Sequence, residues 1–245
     1  MNISLEQFLW KTCLTVVFAL VARAARAVNT GGAVAGAMVS LTIFLLAGSP
    51  AFSALILVFL LTSAATRVGY HRKLRLGTAE RKSGRTASQV LANLSVAALC
   101  AIGYGYGHDS YAFLVALAAA LSEAAGDTIS SELGQAFTTT SHLVTNWQTV
   151  PAGTDGGVSL AGSFCGILSA AVIGSTFALT RALPWRVLPA VVIAATVGMF
   201  ADSLLGAVFE RRKLLNNNAV NLTGTVTAAV AAGLYVGVTG GYGAG

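Results

Sequence analysis

The chain has 245 residues, of which 55% are hydrophobic and only 10% are charged, with a formal net charge of +6. Soluble domains carry about 25% charged residues, so this composition excludes an ordinary soluble protein. The apolar residues fall in continuous blocks long enough to cross a bilayer, which excludes the alternating pattern of a transmembrane β-barrel. The sequence therefore predicts an all-α fold, a polytopic transmembrane helix bundle that forms one domain over residues 1–245.

Eight apolar blocks define about eight predicted spans. In chain order they cover residues 6–22, 30–48, 51–69, 89–107, 111–133, 157–180, 187–209 and 219–239. Glu6 and Lys11 interrupt the first block, so a helix lying partly in the membrane interface is the alternative there. The opening MNISLEQF lacks a basic stretch, and no cleaved signal peptide is expected.

Three clusters of basic residues follow spans one, three and seven, and eight spans place all three on one side of the membrane. They hold 12 of the 15 Lys and Arg residues, namely Arg23, Arg26, Arg67, Arg72, Lys73, Arg75, Arg81, Lys82, Arg85, Arg211, Arg212 and Lys213. The positive-inside rule makes this side cytoplasmic and leaves both termini outside. We therefore expect a multi-pass protein of the cytoplasmic (inner) membrane. The positive charge reflects topology and predicts no nucleic acid as a partner.

Span five ends in EAAGDTISSELG, residues 123–134, which places acids in an apolar helix. Glu123, Asp127 and Ser131 follow at four-residue spacing and share a helix face, whereas Glu132 lies on another face. An acid inside a bilayer costs a few kcal/mol and usually faces a cavity or marks a functional site. We therefore predict that Asp127 is functional; the alternative is a structural ion pair with an arginine.

Span seven repeats this pattern in FADSLLGAVFERRK, residues 200–213, where Asp202 precedes a basic cluster. Asp127 and Asp202 are expected at similar depth on their helices. Mg²⁺ binds to carboxylates together with the phosphates of a substrate. The two acids therefore predict a shared Mg²⁺ site, and the alternative is that Asp202 pairs with an arginine of the basic loop.

The segment PAGTDGGVSLAGS, residues 151–163, is a glycine-rich loop that leads into span six. Glycines allow a ligand to approach the backbone closely, and a helix N-terminus attracts anions. The loop lacks the GK[ST] of a Walker A motif. Thr154 or Asp155 is expected to cap the following helix. Residues 134–156 contain no Lys or Arg, which indicates a role beyond orienting the protein.

The densest basic stretch covers residues 66–93 and contains seven Lys or Arg residues. Arginine binds phosphate oxygens in a bidentate manner, so this excess predicts bound phosphates, with anionic lipid headgroups as the alternative. Gln89 and Asn93, four residues apart at the start of span four, are expected to line the same cavity as the acids. Together these features predict a site for a phosphorylated lipid and a nucleotide.

The order of these motifs resembles that of a known membrane family. The strings GRTASQVLAN, AAGDTISSELG, VTNWQTVPAGTDGGVSLAGS, ADSLLGA and NNNAVN follow one another after NTGGAVAG, over roughly residues 29–225. In this order they are similar to the family of transmembrane protein 19 and the phytyl-phosphate kinases. The resemblance implies a kinase that transfers a phosphoryl group from a nucleoside triphosphate such as CTP to an isoprenyl monophosphate of the phytyl, farnesyl or geranylgeranyl type.

The resemblance also implies site residues by position. It assigns Asp127 and Asp202 to the two acidic motifs, with Gly126, Ser131, Glu132 and Ser203 beside them. Further residues match three other motifs of the family. These are Thr154, Asp155, Gly156, Gly157 and Ser159 in the loop, Lys73, Arg85, Gln89 and Asn93 in the basic segment, and Asn217 and Asn221 in the Asn motif. The stretch FTTTSH, residues 137–142, departs from the family because it lacks the basic residue expected of many relatives.

These assignments give a mechanistic hypothesis. Asp127 and Asp202 hold Mg²⁺, with Glu132 as a further candidate ligand, and the backbone of Gly153–Gly157 cradles the donor phosphates. Lys73, Arg81, Lys82 and Arg85 neutralise phosphate charge.

Other functions stay open at this level. A transporter or flippase of phosphorylated lipid is the main alternative from another class, because intramembrane acids and glycine-broken helices also occur in transporters. A prenol kinase or a lipid cytidylyltransferase is the alternative among enzymes. Membrane lipids are expected neighbours, and small-residue helix faces are compatible with a homodimer.

Overall fold

The computed structural model describes residues 4–80, 82–107 and 110–239. The helices in these ranges are Leu5–Ala24 (α1), Thr30–Arg67 (α2), Tyr70–Leu76 (α3), Ala87–Tyr106 (α4), Ser110–Phe137 (α5), Leu160–Leu179 (α6), Leu188–Leu205 (α7) and Asn217–Thr239 (α8). A 3-10 turn, Trp185–Val187, precedes α7, and a π-helical segment, Gly206–Glu210, follows it. Seven helices of the described ranges are long and apolar enough to cross a membrane, which confirms the predicted helical membrane bundle.

Two of the predicted spans, 30–48 and 51–69, lie within α2, which folds back on itself. Gly48 breaks the helix with φ +78°, two residues before Pro50. Phe44 and Phe52 stack with their ring centroids 4.1 Å apart, whereas residues eight apart in a straight helix are separated by about 12 Å. The helix is therefore a hairpin of two antiparallel halves, and the eight predicted apolar segments correspond to seven long helices of the described ranges.

Both ends of this hairpin lie beside the end of α1. The Arg23 side chain donates to the Thr30 hydroxyl at 3.2 Å, and Arg67 donates to the Ala25 carbonyl at 3.3 Å. At the opposite end, beside the bend, Lys11 donates to the Phe44 carbonyl at 3.0 Å. This contact satisfies the lysine that interrupts the first apolar block, and α1 extends over a full membrane thickness.

The basic clusters share one end of the bundle. The segment before α4 lies on the turn between α1 and α2, because the Arg85 carbonyl accepts from Asn29 N at 2.9 Å and Arg85 N donates to the Ala27 carbonyl at 3.0 Å. The α3 segment lies on the end of α5, where Arg72 donates to the Ala136 carbonyl at 3.3 Å. We call this the basic end. Arg81 lies outside the described residues.

Helix α5 is the central element, and it is buried along most of its length. It packs against every long helix except α1. Small residues permit the closest approaches: a methyl group at Gly126 would lie 2.7 Å from the Met199 sulfur, and one at Gly166 would lie 2.8 Å from the Gly126 carbonyl. Gly126 therefore serves the packing of α5 against α6 and α7.

The connection between α5 and α6 departs from the helical prediction. It forms a small antiparallel sheet of Thr140–Leu143 (β1), Thr149–Pro151 (β2) and Gly157–Val158 (β3), in the order β2-β1-β3. Span six, predicted from residue 157, begins as a helix at Leu160 because residues 157–158 pair with β1. The cap prediction is also wrong: Ser159, and neither Thr154 nor Asp155, accepts from Gly162 N at 3.1 Å.

The approach of the Arg85 segment to α2 predicts different effects for two neighbouring glycines. A methyl group at Gly32 would overlap the Arg85 carbonyl, whereas one at Gly31 would meet its nearest neighbours at 3.5 and 3.6 Å. We expect Gly32→Ala to lower the free energy of unfolding by about 1–3 kcal/mol, as overpacked sites do.

Thermal unfolding in detergent measures this difference. Gly31→Ala is the matched control and should leave the melting temperature unchanged or slightly raised, since alanine is the better helix former. Equal melting temperatures for the two variants would contradict the packing described here.

Candidate functional site

A polar cleft opens at the basic end between α5, the start of α6, the end of α7 and the loop after β2. Its lining consists of Asp127, Ser130, Ser131, Gly134, Gln135, Ser141, Gly153, Thr154, Asp155, Gly156, Gly157, Val158, Ser159, Asp202, Ser203, Gly206, Glu210 and Asn217. We call it the acidic cleft. It brings together the acids of spans five and seven, the glycine-rich loop and Asn217, all of which the sequence predicts as site residues.

The glycine-rich loop is held against the end of α7. Gly153 and Gly156 have φ of +87° and +73°, which side-chain-bearing residues rarely adopt. A methyl group at Gly156 would overlap the backbone of Ala207 in the π-helical segment. The Thr154 hydroxyl donates to the Pro151 carbonyl at 2.8 Å and closes the turn. The loop therefore presents its backbone to the cleft beside the N-terminus of α6, a favourable place for an anion.

Asp127 and Asp202 face this cleft from two different helices. One carboxylate oxygen of Asp202, Oδ2, is buried and has no hydrogen-bond partner among the described residues. An unpaired buried acceptor of this kind is suited to a cation, because leaving it unpaired is costly. The two aspartates are the residues that would hold Mg²⁺.

The described residues contain no group of three or more His, Cys, Asp or Glu side chains arranged to hold a metal ion. Mg²⁺ is commonly held by one or two carboxylates together with substrate phosphates and water. Two aspartates would fit such an ion, with the remaining ligands coming from a bound phosphate and water.

Glu123 lies deeper in the bundle, behind the cleft. Its side chain is 1% exposed, and neither of its carboxylate oxygens has a hydrogen-bond partner in the described part of the chain. Gly198 and Gly224 make room for it: a methyl group at either would lie 2.7 Å or less from a Glu123 atom. The two glycines therefore accommodate this buried acid between α5, α7 and α8.

Lys73 and Glu132 lie outside the cleft and pair with each other. Lys73 Nζ is 2.5 Å from Glu132 Oε2 and also donates to the carbonyls of Ala65 and Thr66, at 3.1 and 2.8 Å. These contacts use all three ammonium donors. The pair connects α3 to α2 and α5, and the structure brings neither the predicted catalytic lysine nor the predicted metal ligand Glu132 to the acidic cleft.

Arg85 and Lys82 line a second pocket at the basic end, next to the turn between α1 and α2. The pocket is lined by Ala25, Arg26, Ala27, Ser63, Thr66, Arg67, Tyr70, Glu80, Lys82, Gly84 and Arg85. We call it the basic pocket. Burial lowers the pKa of the Arg85 guanidinium from its usual value, while the charges of Glu80, Glu132 and Asp127 raise it. Arginine remains protonated in this setting, so Arg85 supplies a fixed positive charge within electrostatic range of Asp127.

Three predicted amides form contacts within α4 and between α4 and α8. Gln89 accepts from Thr86 N at 2.8 Å in a capping box at the start of α4. The Asn93 side chain donates to the Gln89 carbonyl at 2.8 Å, and the Asn221 side chain donates to Asn93 Oδ1 at 3.4 Å. These contacts run from α4 to α8, which also supplies Asn217 to the cleft. The amides themselves line neither the acidic cleft nor the basic pocket, so the structure does not bring these predicted site residues to either.

The cleft also contains polar residues that the sequence analysis missed. Gln135 follows Ser131 by one helical turn, and its amide donates to the Ser131 hydroxyl at 3.0 Å. Four-residue spacing from Asp127 and Ser131 could have indicated it. Glu210 reaches the cleft from the π-helical segment, and Ser141 reaches it from β1. No periodic pattern in the sequence indicates these two positions.

Comparisons with known proteins assign this chain to a family. The family described as integral membrane protein DUF92 matches residues 13–229. An uncharacterized membrane protein of Methanocaldococcus jannaschii, MJ0933, is 30% identical over 87% of this chain and 88% of its own length. An uncharacterized membrane protein of Synechocystis, sll0875, is 33% identical over 72% of this chain and 70% of its own.

A plant relative is the chloroplastic protein VTE6 of Arabidopsis thaliana, which is 29% identical over 71% of this chain. The alignment covers 55% of VTE6, so the chain spans about half the length of that relative. No solved structure matches the chain. The family resemblance inferred from the order of the motifs is confirmed, and the chain belongs to the DUF92 family of integral membrane proteins.

Proposed function

We propose that this protein is a prenyl-phosphate kinase, which transfers the terminal phosphoryl group of a nucleoside triphosphate to an isoprenyl monophosphate. The observation that carries the proposal is that the acidic cleft, with two aspartates and a glycine-rich loop, and the basic pocket, with Arg85, lie at the same end of the bundle. Two carboxylates for a phosphate-bound cation and a group of cations for a second phosphate are the parts that phosphoryl transfer requires. The resemblance of the motif order to the phytyl-phosphate kinases supports the same activity.

The reaction needs little acid–base chemistry from the protein. An oxygen of the acceptor monophosphate is already ionised, and it attacks the terminal phosphorus of the donor. A new P–O bond forms between this oxygen and the terminal phosphorus. The bond between that phosphorus and the bridging oxygen breaks, and the nucleoside diphosphate leaves with the bonding electron pair on its oxygen. Catalysis then consists of positioning and charge neutralisation.

The residues of the acidic cleft take the donor in this proposal. Backbone N–H groups of residues 153–157 and the N-terminus of α6 bind its phosphates, while Asp127 and Asp202 hold the Mg²⁺ that accompanies it. When bound, Mg²⁺ would neutralise part of the negative charge of the donor phosphates. Arg85, Lys82, Arg26 and Arg67 bind the acceptor phosphate in the basic pocket. CTP is the proposed donor on the strength of the family resemblance.

We also propose that the basic end faces the cytoplasm, where the nucleotide is available, in the inner membrane. This end carries the described members of all three basic clusters, and basic residues are retained on the cytoplasmic side. The opposite end includes the bend at Gly48 and the two described chain ends of α1 and α8.

Cysteine labelling in bacterial spheroplasts tests this orientation. In a background without Cys13, Cys100 and Cys165, Ser49→Cys at the bend should react with a membrane-impermeant maleimide in intact spheroplasts. Ser83→Cys at the basic end should react only after permeabilisation. The opposite order of labelling would invert the proposed topology.

The activity is tested with protein purified in detergent and incubated with Mg²⁺, terminally labelled CTP or ATP, and either a prenol or a prenyl monophosphate. We expect labelled prenyl diphosphate from the monophosphate alone. Asp127→Asn and Asp202→Asn should each lower turnover by about 100-fold or more, since each removes a carboxylate that would hold the Mg²⁺ neutralising the donor phosphates. Glu6→Gln, an exposed acid at the other end of the bundle, is the control and should retain activity.

Other outcomes would change the conclusion. Full activity in Asp127→Asn would remove this residue from the metal site. Label in the free alcohol would indicate a prenol kinase, and transfer of the nucleotidyl group would indicate a cytidylyltransferase. Folded protein without any transfer would favour a transporter of phosphorylated lipid.

A further inference from the structure

An apolar cavity lies between α1, the two halves of α2 and α4, directly below Arg85. Its walls are almost entirely hydrocarbon, and its polar lining includes Thr62, Arg85, Gln89 and Asn93. Arg85 lines this cavity and the basic pocket as well. A single partly buried cation therefore separates an apolar chamber from a positively charged opening, which is the arrangement that an anionic headgroup with a hydrocarbon tail would fill.

The depth of this cavity follows from the helix positions that line it. On the first half of α2 the lining extends from Gly32 to Ser40, and on the second half from Thr62 to Leu55. At a rise of 1.5 Å per residue these stretches correspond to a depth of about 10–12 Å below Arg85. An extended isoprene unit, with four bonds along the chain, occupies about 5 Å. The chamber therefore has room for about two units.

Aromatic rings close the far end. Phe44 and Phe52 are 2% and 3% exposed and lie one turn beyond Ser40 and Leu55. Phe18, which lines the cavity, packs edge-on against Phe52 and Phe59, with centroid distances of 6.1 and 5.1 Å. These rings interlock the two halves of the hairpin with α1. A tail that extends to this floor cannot continue in the same direction.

A second apolar groove offers an alternative position for a tail. It lies between the second half of α2, α5 and α6, and its lining includes Leu61, Ile129, Leu133 and Leu168. No charged residue lines it within the described part of the chain, so it lacks a partner for a phosphate. The cavity below Arg85 is the one that combines an apolar chamber with a cation.

We propose, on the basis of the proposed function, that this cavity holds the tail of the acceptor lipid with its phosphate at Arg85, and that the Phe18, Phe44 and Phe52 floor sets the tail length. The preferred acceptors are then prenyl monophosphates of about two isoprene units, and longer tails meet the aromatic rings. The floor residues determine specificity without contacting the reacting atoms.

Two variants change the chamber in opposite directions. Phe18→Ala removes a ring of the floor and lengthens the chamber. Gly36→Leu fills it, because Gly36 lines the cavity and the nearest atom to an added methyl group is Val90 Cγ1 at 4.0 Å. Leu168→Ala, which enlarges the second groove, is the matched control. Thermal unfolding in detergent establishes that each variant is folded.

The experiment measures kcat/KM for prenyl monophosphates of one to four isoprene units at a fixed concentration of CTP. We expect the wild-type value to fall between two and three units. Phe18→Ala should raise the three-unit to two-unit ratio about tenfold, and Gly36→Leu should lower the two-unit to one-unit ratio by a similar factor, as steric changes in apolar pockets do. Leu168→Ala should leave both ratios unchanged. Ratios that respond only to Leu168→Ala would place the tail in the second groove and overturn the proposal.

A binding measurement without nucleotide separates this inference from the kinase activity. The same lipids should raise the melting temperature of the protein with the same length optimum. Arg85→Gln should reduce the advantage of a monophosphate over the matching prenol, with Arg26, Arg67 and Lys82 of the basic pocket retaining part of it. Length-dependent binding without phosphoryl transfer would refute the kinase and support the tail cavity. Phosphoryl transfer with a length preference that neither Phe18→Ala nor Gly36→Leu alters would support the kinase and refute the tail cavity.

Discussion

The cost of placing charged groups in an apolar interior governs the arrangement around α5, the helix that the others surround. Each of its acids has a different environment. Glu132 is paired with the fully buried Lys73, Asp127 faces a polar cleft within range of Arg85, and Glu123 lies against the glycines of α7 and α8. An unpaired buried charge costs several kcal/mol, so these environments fix how α2, α3, α7 and α8 approach the central helix. The packing of the bundle and the position of its candidate site therefore have the same origin.

This arrangement divides the polar end of the protein into two neighbouring regions of opposite charge. Carboxylates and a glycine-rich loop form one, and arginines and a lysine form the other. Such a division suits a reaction between two phosphorylated molecules, because each is held by its own groups and the anions are brought together only at the boundary. An apolar cavity below the cationic region provides a separate place for the hydrocarbon part of such a molecule.

The sequence predicts this fold well where periodicity or charge asymmetry carries the information. Span lengths follow from bilayer thickness, and the clustering of Asp127, Asp202 and the loop at one end follows from the number of crossings. Ion pairs between distant segments are harder to predict from the sequence. Lys73 and Glu132 lie 59 residues apart, and the local sequence around each residue is equally compatible with contact to a ligand. The sheet in residues 140–158 escapes prediction because strands of two to four residues are too short for a recognisable period. Glu210 reaches the cleft through a π-helical segment, which shifts the side-chain register that a regular α-helix would give.

The hairpin in α2 also has a consequence for how the protein enters the membrane. Its two halves meet at Gly48 without a hydrophilic loop, and Arg67 is the first charged residue after Arg26. No charged segment has to be carried across the bilayer between these halves. The hairpin can therefore partition into the lipid as one unit during synthesis, and its two arms become the walls of the same cavity as soon as they are inserted. Assembly of that chamber then requires only that α1 and α4 close its remaining sides.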